Sequence, residues 1–252
     1  MLSFLLFWLP GLGQFADFFD DGDFAQNPAW TGDTADFTVI DEVLRLDAPA
    51  VGGVKQLGLP SYVIEEAKWS FHVFMEFNPS SSNYTEVFLV ADTADLTNLQ
   101  HGYFVRLGGT ADEVSLYSVV DGTSTKIIDG QDGRLSLSNV AIQVEVTRDA
   151  FGQWQLISQL EGESGFAVEG EVFDDAVLTS SHFGIMCRYT STRSKKMAFD
   201  QIEVTGKPFT DRQAPEVLLA TLATEVQVEL HFTEPMDTAS LLDGSNYLRN
   251  NQ

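Results

Sequence analysis

Three aspartates within four residues offer the oxygen ligands that a divalent cation prefers. Asp20, Asp21 and Asp23 lie in the stretch DDGDF, close to the start of the chain. Carboxylates at this density suit calcium. The stretch is not an EF-hand, because a phenylalanine and a proline stand where that loop needs ligands. The alternative is a surface turn in which the aspartates accept hydrogen bonds from backbone amides.

The histidines and the cysteine do not form a recognisable catalytic pattern. His72, His101, His182 and His231 are scattered, without the spacing of a metal-binding helix and without a nucleophile elbow elsewhere. His72 falls on the polar side of a predicted strand, where the alternatives are a binding role and a plain surface position. The single cysteine, Cys187, alternates with apolar residues, so we predict a buried side chain and not a nucleophile.

Composition restricts the class of protein and the kinds of partner that it can bind. The 252 residues are 44% hydrophobic and 12% aromatic, which is enough for a folded core and argues against intrinsic disorder. The 14 basic and 37 acidic residues give a net charge of −23. Such a surface repels nucleic acid and anionic membranes. The apolar runs are also too short for a membrane span.

Alternation of apolar and polar residues dominates the chain from Phe15 to Gly206. The stretch WSFHVFMEFN places five apolar side chains on one side of a strand: Trp69, Phe71, Val73, Met75 and Phe77. Connections such as DGTSTK, DAFGQ and EGESG have the composition of turns. Strands spaced by ~8–12 residues predict an all-β protein, a two-sheet antiparallel sandwich of the jelly-roll type. A closed barrel is the alternative.

The two ends of the chain differ from its centre. Residues 1–14 hold a short apolar run followed by proline and small residues, which predicts a signal peptide; a mis-set start codon or a buried first strand is the alternative. Residues 15–206 form the predicted sandwich. Residues 207–214 have linker composition. Alternation restarts within residues 215–252, which are too few for a sandwich of ~100 residues and predict the truncated start of a second β domain.

Four stretches carry a resemblance to a known family. They are FADFFDDGDFAQNPAWTGDTADFTV, YFVRLGGTADEVSLYSVVDG, VEVTRDAFGQWQL and FGIMCRYTSTRSKKMAFDQIEVTG. Over residues 15–206 the chain resembles the concanavalin A-like, laminin G-like jelly-roll domains of large secreted proteins from Bacteroidetes-type bacteria. The tail, QAPEVLLATLATEVQVELHFTEPMDTASLLDGSNY, is similar to the start of a bacterial Ig-like domain. Lectins, carbohydrate-binding modules, adhesion domains and glycosidases share this superfamily, so the resemblance implies a fold more than a function.

The resemblance implies that polar sides of the strands bind carbohydrate. Sugar sites in such folds combine aromatic faces with a few polar groups that bind the hydroxyls. The candidates on the polar sides are Arg106, Tyr117, Gln143, Glu145 and Arg188. Because tyrosine is also a common strand residue, plain surface positions remain the alternative.

The resemblance also bears on the aspartates, because calcium-stabilised sites occur in this family. The first and last strands of a jelly roll are usually neighbours. Asp20, Asp21 and Asp23 could therefore share a structural calcium with Asp200 of AFDQIEV. Trp30, which follows the aspartates, is either a core residue or a platform for a sugar ring.

Glycoside hydrolysis needs two carboxylates that face each other across a cleft. Hydrolases of this fold carry an E-x-D-x-x-E strand, which the sequence lacks. The nearest patterns are Glu169 with Glu171, and Glu145 followed by Asp149. We therefore do not expect an enzyme.

One basic stretch stands out against the acidic composition. RYTSTRSKK contains Arg188, Arg193, Lys195 and Lys196, four of the 14 basic residues. It could bind an acidic polysaccharide or a sulfated glycan. The alternative is that it neutralises neighbouring acids and protects a sheet edge.

These observations predict a secreted or cell-surface module without catalytic activity. It would bind an extracellular polysaccharide or a cell-surface glycan, or mediate adhesion, within a larger protein. A structural spacer without a ligand is the main alternative. An unrecognised glycoside hydrolase or polysaccharide lyase is the third hypothesis.

Overall fold

The structure, a computed structural model, describes residues 13–210, 217–224 and 227–232. The chain divides into two units, Met1–Phe209 and Thr210–Gln252. Residues 1–12 of the predicted signal peptide and residues 211–214 of the predicted linker lie outside the described residues. None of the helices within the described ranges has the length and apolar character needed to span a bilayer.

The strands of the first unit form two antiparallel sheets. In chain order they are β1 (Gly13–Asp17), β2 (Thr31–Gly32), β3 (Phe37–Ile40), β4 (Val43–Leu46), β5 (Gly53–Pro60), β6 (Glu65–Met75), β7 (Tyr84–Ala91), β8 (Gly102–Gly108), β9 (Glu113–Val120), β10 (Thr123–Ile128), β11 (Val140–Arg148), β12 (Gln153–Leu160), β13 (Ala167–Phe173), β14 (His182–Tyr189) and β15 (Met197–Lys207). Short 3-10 helices cover Thr34–Asp36, Leu96–Asn98 and Ser191–Arg193.

The back sheet has the strand order β13-β12-β11-β6-β15-β4-β3, and β1 pairs with β15. The front sheet has the order β10-β9-β8-β7-β14-β5-β2. This arrangement confirms the predicted two-sheet sandwich and not the closed barrel. The pairing of β1 with β15 confirms that the first and last strands of the sandwich are neighbours.

The core lies between the two sheets and follows the predicted alternation. The apolar side of β6 is fully or almost fully buried, as is the apolar side of β11. Each large side chain buried in this way stabilises the fold by about 1.5–3 kcal/mol. Cys187 is buried in the same cluster, and burial raises the pKa of its thiol to about 12, which confirms a packing role.

Trp30 belongs to the core. Its side chain is 3% exposed, and its ring packs against Phe183 with a centroid distance of 6.1 Å. The indole Nε1 donates to Asp17 Oδ2 at 2.8 Å, which satisfies the polar atom of the buried ring. The core alternative is therefore confirmed, and the sugar-platform alternative is wrong.

Two predicted turns have the backbone geometry that their glycines permit. Asp121 and Gly122 join β9 to β10 with φ angles of 49° and 71°, the positive values that a two-residue hairpin requires. Gly152 joins β11 to β12 with φ of 94°, and a Cβ there would lie 3.0 Å from the carbonyl oxygen of Asp174. A side chain at Gly152 would therefore be strained in both respects.

The second unit contains two described strands. β16 (Val217–Thr224) and β17 (Gln227–Phe232) form an antiparallel pair. Residues 233–252 lie outside the described residues. The Ig-like character of this unit stays a prediction.

Candidate functional site

A pocket of about 240 Å³ opens on the outer face of the front sheet. We call it the front pocket. Alternation along β8 explains its position, because Val105 and Leu107 belong to the core while Phe104 and Arg106 lie on the opposite side of the strand. The lining residues are Val54, Tyr84, Glu86, Phe88, Leu96, Thr97, Leu99, Phe104, Arg106, Val119, Gly122, Ser124, Met186 and Arg188.

The floor of the front pocket is a second apolar cluster, separate from the main core. It contains Phe88, Phe104 and Met186 of the sheet, and Leu96 and Leu99 of the connection between β7 and β8. The ring of Phe88 lies 5.1 Å from that of Phe104, measured between centroids. This connection therefore closes one side of the pocket by packing on the outer face of the sheet.

An ion pair between Arg106 and Glu86 lies in the wall of the front pocket. Arg106 donates to Glu86 Oε1 from Nε at 2.8 Å and from Nη2 at 2.5 Å. The Arg106 guanidinium also lies 4.7 Å from the ring centroid of Tyr117 and 4.9 Å from that of Tyr84. Tyr117 in turn stacks on Phe104, with a centroid distance of 4.9 Å and an interplanar angle of 4°. The guanidinium is therefore held in a fixed orientation by both charge and aromatic contact.

Glu86 is an unusual residue for the outer face of a sheet, because it is only 3% exposed. Burial raises its pKa above the ordinary glutamate value, although Arg106 acts in the opposite direction. A buried ion pair is a weak contributor to stability because both charges lose their hydration. The pair therefore places one buried carboxylate and one guanidinium in the wall of a concave pocket.

Arg188 completes the polar wall. Its Nε donates to the Tyr84 hydroxyl oxygen at 2.8 Å, and its guanidinium carbon lies 5.6 Å from the Tyr84 ring centroid. The two residues are directly paired in register between β14 and β7. Tyr84 thus contacts both Arg188 and Arg106. The structure therefore brings together three of the predicted sugar-binding residues: Arg106 and Arg188 line the pocket, and Tyr117 supports Arg106.

The other two predicted residues, Gln143 and Glu145, lie on the outer face of the back sheet, away from the front pocket. Glu145 forms an ion pair with Lys68 at 2.9 Å, and Gln143 Nε2 donates to Ser70 Oγ at 3.2 Å. Gln143 lines a second pocket of about 200 Å³ on this face. The predicted set is therefore divided between two opposite faces of the sandwich.

His72 also lines the pocket on the back sheet. Its ring lies 4.2 Å from that of Phe74 between centroids. Burial lowers the pKa of His72, which favours the neutral imidazole. A binding role for His72 stays an alternative, since a neutral ring packed on Phe74 is also a common structural arrangement.

The sequence did not single out Glu86, Tyr84 or Phe104. Phe104 lies on the outer side of β8, in the apolar cluster below the front pocket. Glu86 is embedded in the apolar run TEVFLVA, where a carboxylate is conspicuous. An acidic residue inside such a run was the signal that could have drawn attention to this site.

Two aspartates of DDGDF accept hydrogen bonds from nearby backbone amides. Asp21 Oδ1 accepts from the backbone nitrogen of Asp23 at 3.0 Å, and Asp23 Oδ1 accepts from those of Phe24 and Ala25 at 2.7 Å. Among the described residues, which include all four predicted ligands, there is no group of three or more Asp, Glu, His or Cys side chains that could hold a metal ion. Asp21 and Asp23 thus form the backbone hydrogen bonds that the turn alternative predicts.

Asp200 lies on the back sheet, opposite His72 in the register of β15 and β6. Burial raises its pKa, and the negative charge of Asp20 adds to this effect. A negative charge nearby raises the pKa of a carboxyl group because it disfavours the ionised form. The sharing of a structural calcium by Asp20, Asp21, Asp23 and Asp200 stays a prediction.

The basic stretch does not form one continuous positive surface. Lys195 pairs with Asp47, and Lys196 lies 4.0 Å from Glu76. Arg193 packs over the ring of Phe77 at 5.2 Å. The contacts of Lys195 and Lys196 favour the neutralising interpretation for two of the four basic residues. Arg188 differs from them because it lines the front pocket.

Comparison with solved structures identifies the architecture. The exoplasmic/lumenal domain of VIP36 in its Ca2+/Man-bound form is similar with a TM-score of 0.52 and 11% identity, over 82% of this chain and 90% of that one. The metal-free form of the same domain gives a TM-score of 0.50 and 13% identity, with the same two coverages, 82% and 90%. The metal-free carbohydrate recognition domain of Emp46p gives 0.51 and 14%, over 75% and 93%.

The fold is therefore a concanavalin A-like sandwich of two antiparallel sheets. No protein-family model and no curated protein matches the chain. The relation to Bacteroidetes-type proteins stays a prediction.

Proposed function

We propose that the chain is a non-catalytic carbohydrate-binding module whose binding site is the front pocket. The observation that carries this proposal is the arrangement of Arg106, Glu86 and Arg188 above an apolar floor. These planar polar side chains are held in place by one another and by Tyr84. A concave site with few, fixed polar groups on an apolar base is the usual form of a small-ligand site.

The chemistry of the pocket matches that of a sugar ring. Each hydroxyl of a sugar can both donate and accept hydrogen bonds, while the C–H groups of the ring are apolar. The guanidinium of Arg188 can donate to adjacent hydroxyl oxygens, and the carboxylate of Glu86 can accept from a hydroxyl. The apolar floor formed by Phe88 and Met186 would receive the C–H face.

The fold supports the same proposal. The VIP36 domain is known in a mannose-bound form, and the Emp46p domain is a carbohydrate recognition domain. At identities of 11% and 14% these similarities show the fold, and the extension of binding to this chain is our proposal.

The lining of the front pocket favours binding over hydrolysis. Glu86 is the one carboxylate among its described lining residues. A glycosidase needs a second carboxylate at about 5–9.5 Å to act as nucleophile or base. The predicted alternatives elsewhere are engaged in other contacts, since Glu145 pairs with Lys68 and Asp149 accepts backbone hydrogen bonds in the turn after β11.

A glycan array with the full chain identifies the glycan that binds most tightly. Calorimetry then compares the affinities of the wild type and of Glu86→Gln for this glycan. This substitution keeps the shape of the side chain but weakens the hold on Arg106. We expect an affinity lower by roughly 10- to 100-fold, the usual effect of losing a charged hydrogen bond.

In the wild type, affinity should fall as the pH is lowered through the raised pKa of Glu86, because protonation removes the same charge. In Glu86→Gln this pH dependence should be absent.

Glu145→Gln is the matched control, because it makes the same change on the back sheet. We expect its affinity to equal that of the wild type. Loss of binding in Glu145→Gln but not in Glu86→Gln would move the site to the back sheet. A folded sample that binds no glycan on the array would favour the spacer alternative and overturn the proposal.

We also propose that the module is exported, as part of a secreted or cell-surface protein. The predicted signal peptide supports export, and the contacts of Gln14 indicate where processing must stop. Gln14 Oε1 accepts from Ser61 Oγ at 2.7 Å and from the backbone nitrogen of Tyr62 at 3.0 Å, so it holds β1 in place. Mass spectrometry of the chain secreted by a bacterial host should show a shortened protein that retains Gln14. Recovery of only the full-length chain inside the cells would contradict export.

A further inference from the structure

The charge of the front pocket differs in sign from that of the protein. Its lining contains two arginines and one glutamate, which gives a net charge of +1. The whole chain has a net charge of −23. A local excess of positive charge on so acidic a protein needs a physical explanation, because a plain surface would place carboxylates near each cation.

The two arginines are not equivalent. Arg106 gives its Nε and Nη2 to Glu86, so its charge is compensated within the protein. Lys126, a further cation on this sheet, is compensated by Glu113 and Asp129. Within the described part of the chain, Arg188 forms no ion pair with a carboxylate. The excess positive charge of the pocket therefore lies on Arg188.

The geometry of Arg188 prepares it for an anionic partner. Its Nε is occupied by the Tyr84 hydroxyl at 2.8 Å, which fixes the plane of the guanidinium. The side chain is exposed and projects from the middle of the front sheet, where β14 is paired on both sides. The two terminal nitrogens of a guanidinium fixed in this way form the fork that binds a carboxylate or a sulfate through two parallel hydrogen bonds.

A bound ligand would displace water from the guanidinium of Arg188. The group that then contacts the guanidinium has a larger effect on the free energy of binding. A guanidinium that loses hydration is stabilised well by an anion and poorly by a neutral hydroxyl. The single negative charge of Glu86 is already paired with Arg106, and no ion pair joins Glu86 to Arg188 within the described residues. An anionic group of the ligand would therefore give Arg188 the carboxylate-like partner that it lacks within the described residues.

We infer that the front pocket binds an acidic glycan, with Arg188 pairing to a carboxylate or sulfate group of the sugar. This inference rests on the proposed function and adds the chemical class of the ligand. The repulsion expected from the acidic surface is screened beyond ~8 Å at physiological salt, whereas the direct contact with Arg188 is not.

The test compares polymers that differ in charge alone. The full chain is titrated at ~0.15 M salt with polygalacturonate and its methyl ester, and with a sulfated galactan and the same galactan after desulfation. The acidic member of at least one pair should bind about tenfold more tightly or better. A preference within the first pair identifies a carboxylate as the partner of Arg188, and a preference within the second identifies a sulfate.

Variants of Arg188 link this preference to the pocket. Arg188→Gln should abolish the preference for the acidic polymer, and Arg188→Lys should retain part of it because the charge remains without the fork. Lys196→Gln, which removes another cation of the same basic stretch, should behave as the wild type. Equal preference in Arg188→Gln and the wild type would overturn the inference.

The failure of this inference can be distinguished from failure of the proposed function. If the chain binds neutral glycans as tightly as acidic ones, and Glu86→Gln still weakens that binding, the acidic ligand is wrong while carbohydrate binding in the front pocket stands. If neither the polymers nor the glycan array shows binding, the proposed function itself is wrong.

Discussion

Replacing Trp154 with alanine should destabilise the sandwich by about 3–5 kcal/mol, the usual range for a large aromatic residue removed from a core. Trp154 is fully buried and stacks on Trp69, with a centroid distance of 5.5 Å and an interplanar angle of 13°. Its ring also contacts Tyr103 at 4.4 Å and lies under the guanidinium of Arg148 at 5.5 Å. Its Nε1 donates to the carbonyl oxygen of Asp174 at 3.0 Å. Removing the ring would therefore leave a cavity. The Asp174 carbonyl oxygen would lose this hydrogen bond, and the Arg148 guanidinium would lose its contact with the ring.

Urea unfolding of the wild type and of Trp154→Ala measures this loss directly. Phe151→Ala is the matched control, because Phe151 is 81% exposed at the turn just before β12. We expect its stability to stay within about 0.5 kcal/mol of the wild type. A loss of less than about 1 kcal/mol in Trp154→Ala would show that the stacked tryptophans are not central to the core.

Replacing Arg134 with methionine should have an effect of similar size, for an electrostatic reason. Arg134 lies in the connection between β10 and β11, and its Nε contacts Glu169 Oε1 at 2.7 Å and Ser158 Oγ at 2.8 Å. Its Nη1 and Nη2 donate to the two carboxylate oxygens of Glu163 at 3.0 and 2.8 Å. The Glu169 side chain is only 2% exposed, so the substitution would leave a buried carboxylate without its cation. Such a loss typically destabilises a protein by about 3–5 kcal/mol.

Arg45→Met provides the control for this second prediction. The ion pair of Arg45 with Glu76 is longer, at 3.8 Å, and both side chains are partly exposed. Exposed pairs contribute about 0–1 kcal/mol, so we expect little change in the urea midpoint. The double variant Arg134→Met with Glu169→Gln should recover part of the stability lost in Arg134→Met, because no buried charge is left unpaired. If Arg134→Met were as stable as Arg45→Met, the buried pair would contribute nothing.

The sequence predicted the residues of the core well, for a local reason. Successive side chains of a strand point to opposite sides, so the pattern of WSFHVFMEFN was sufficient to place Trp69 and Phe71 in the interior. The same reasoning placed Cys187 in the core. The turn at Asp121 and Gly122 was predictable for an equally local reason, because these residue types tolerate positive φ.

The residues of the front pocket were predicted only in part, because the pocket depends on contacts between distant strands. Arg188 and Tyr84 are 104 residues apart in the chain and meet through the pairing of β14 with β7. Alternation predicts that Arg106 and Gln143 both lie on the polar sides of their strands, but it does not indicate which sheet each strand joins. The structure places them on opposite faces of the sandwich.

The aspartates of DDGDF also show that sequence predicts local contacts better than contacts between distant segments. Their composition was compatible with both a calcium site and a turn. The structure shows the hydrogen bonds of Asp21 and Asp23 to nearby backbone amides that the turn predicts. A metal site requires ligands brought to one point from separate segments, and composition does not encode that geometry.

The sequence by itself determined the all-β class, the buried side of each major strand and the acidic character of the surface. These properties depend on composition, on the two-residue period of a strand and on the local preferences of turns. Only the tertiary structure decided that Arg106, Glu86 and Arg188 share one pocket, because strand order and register bring their separate strands together. Strand order follows from the burial of the whole core, so no single stretch of sequence specifies it.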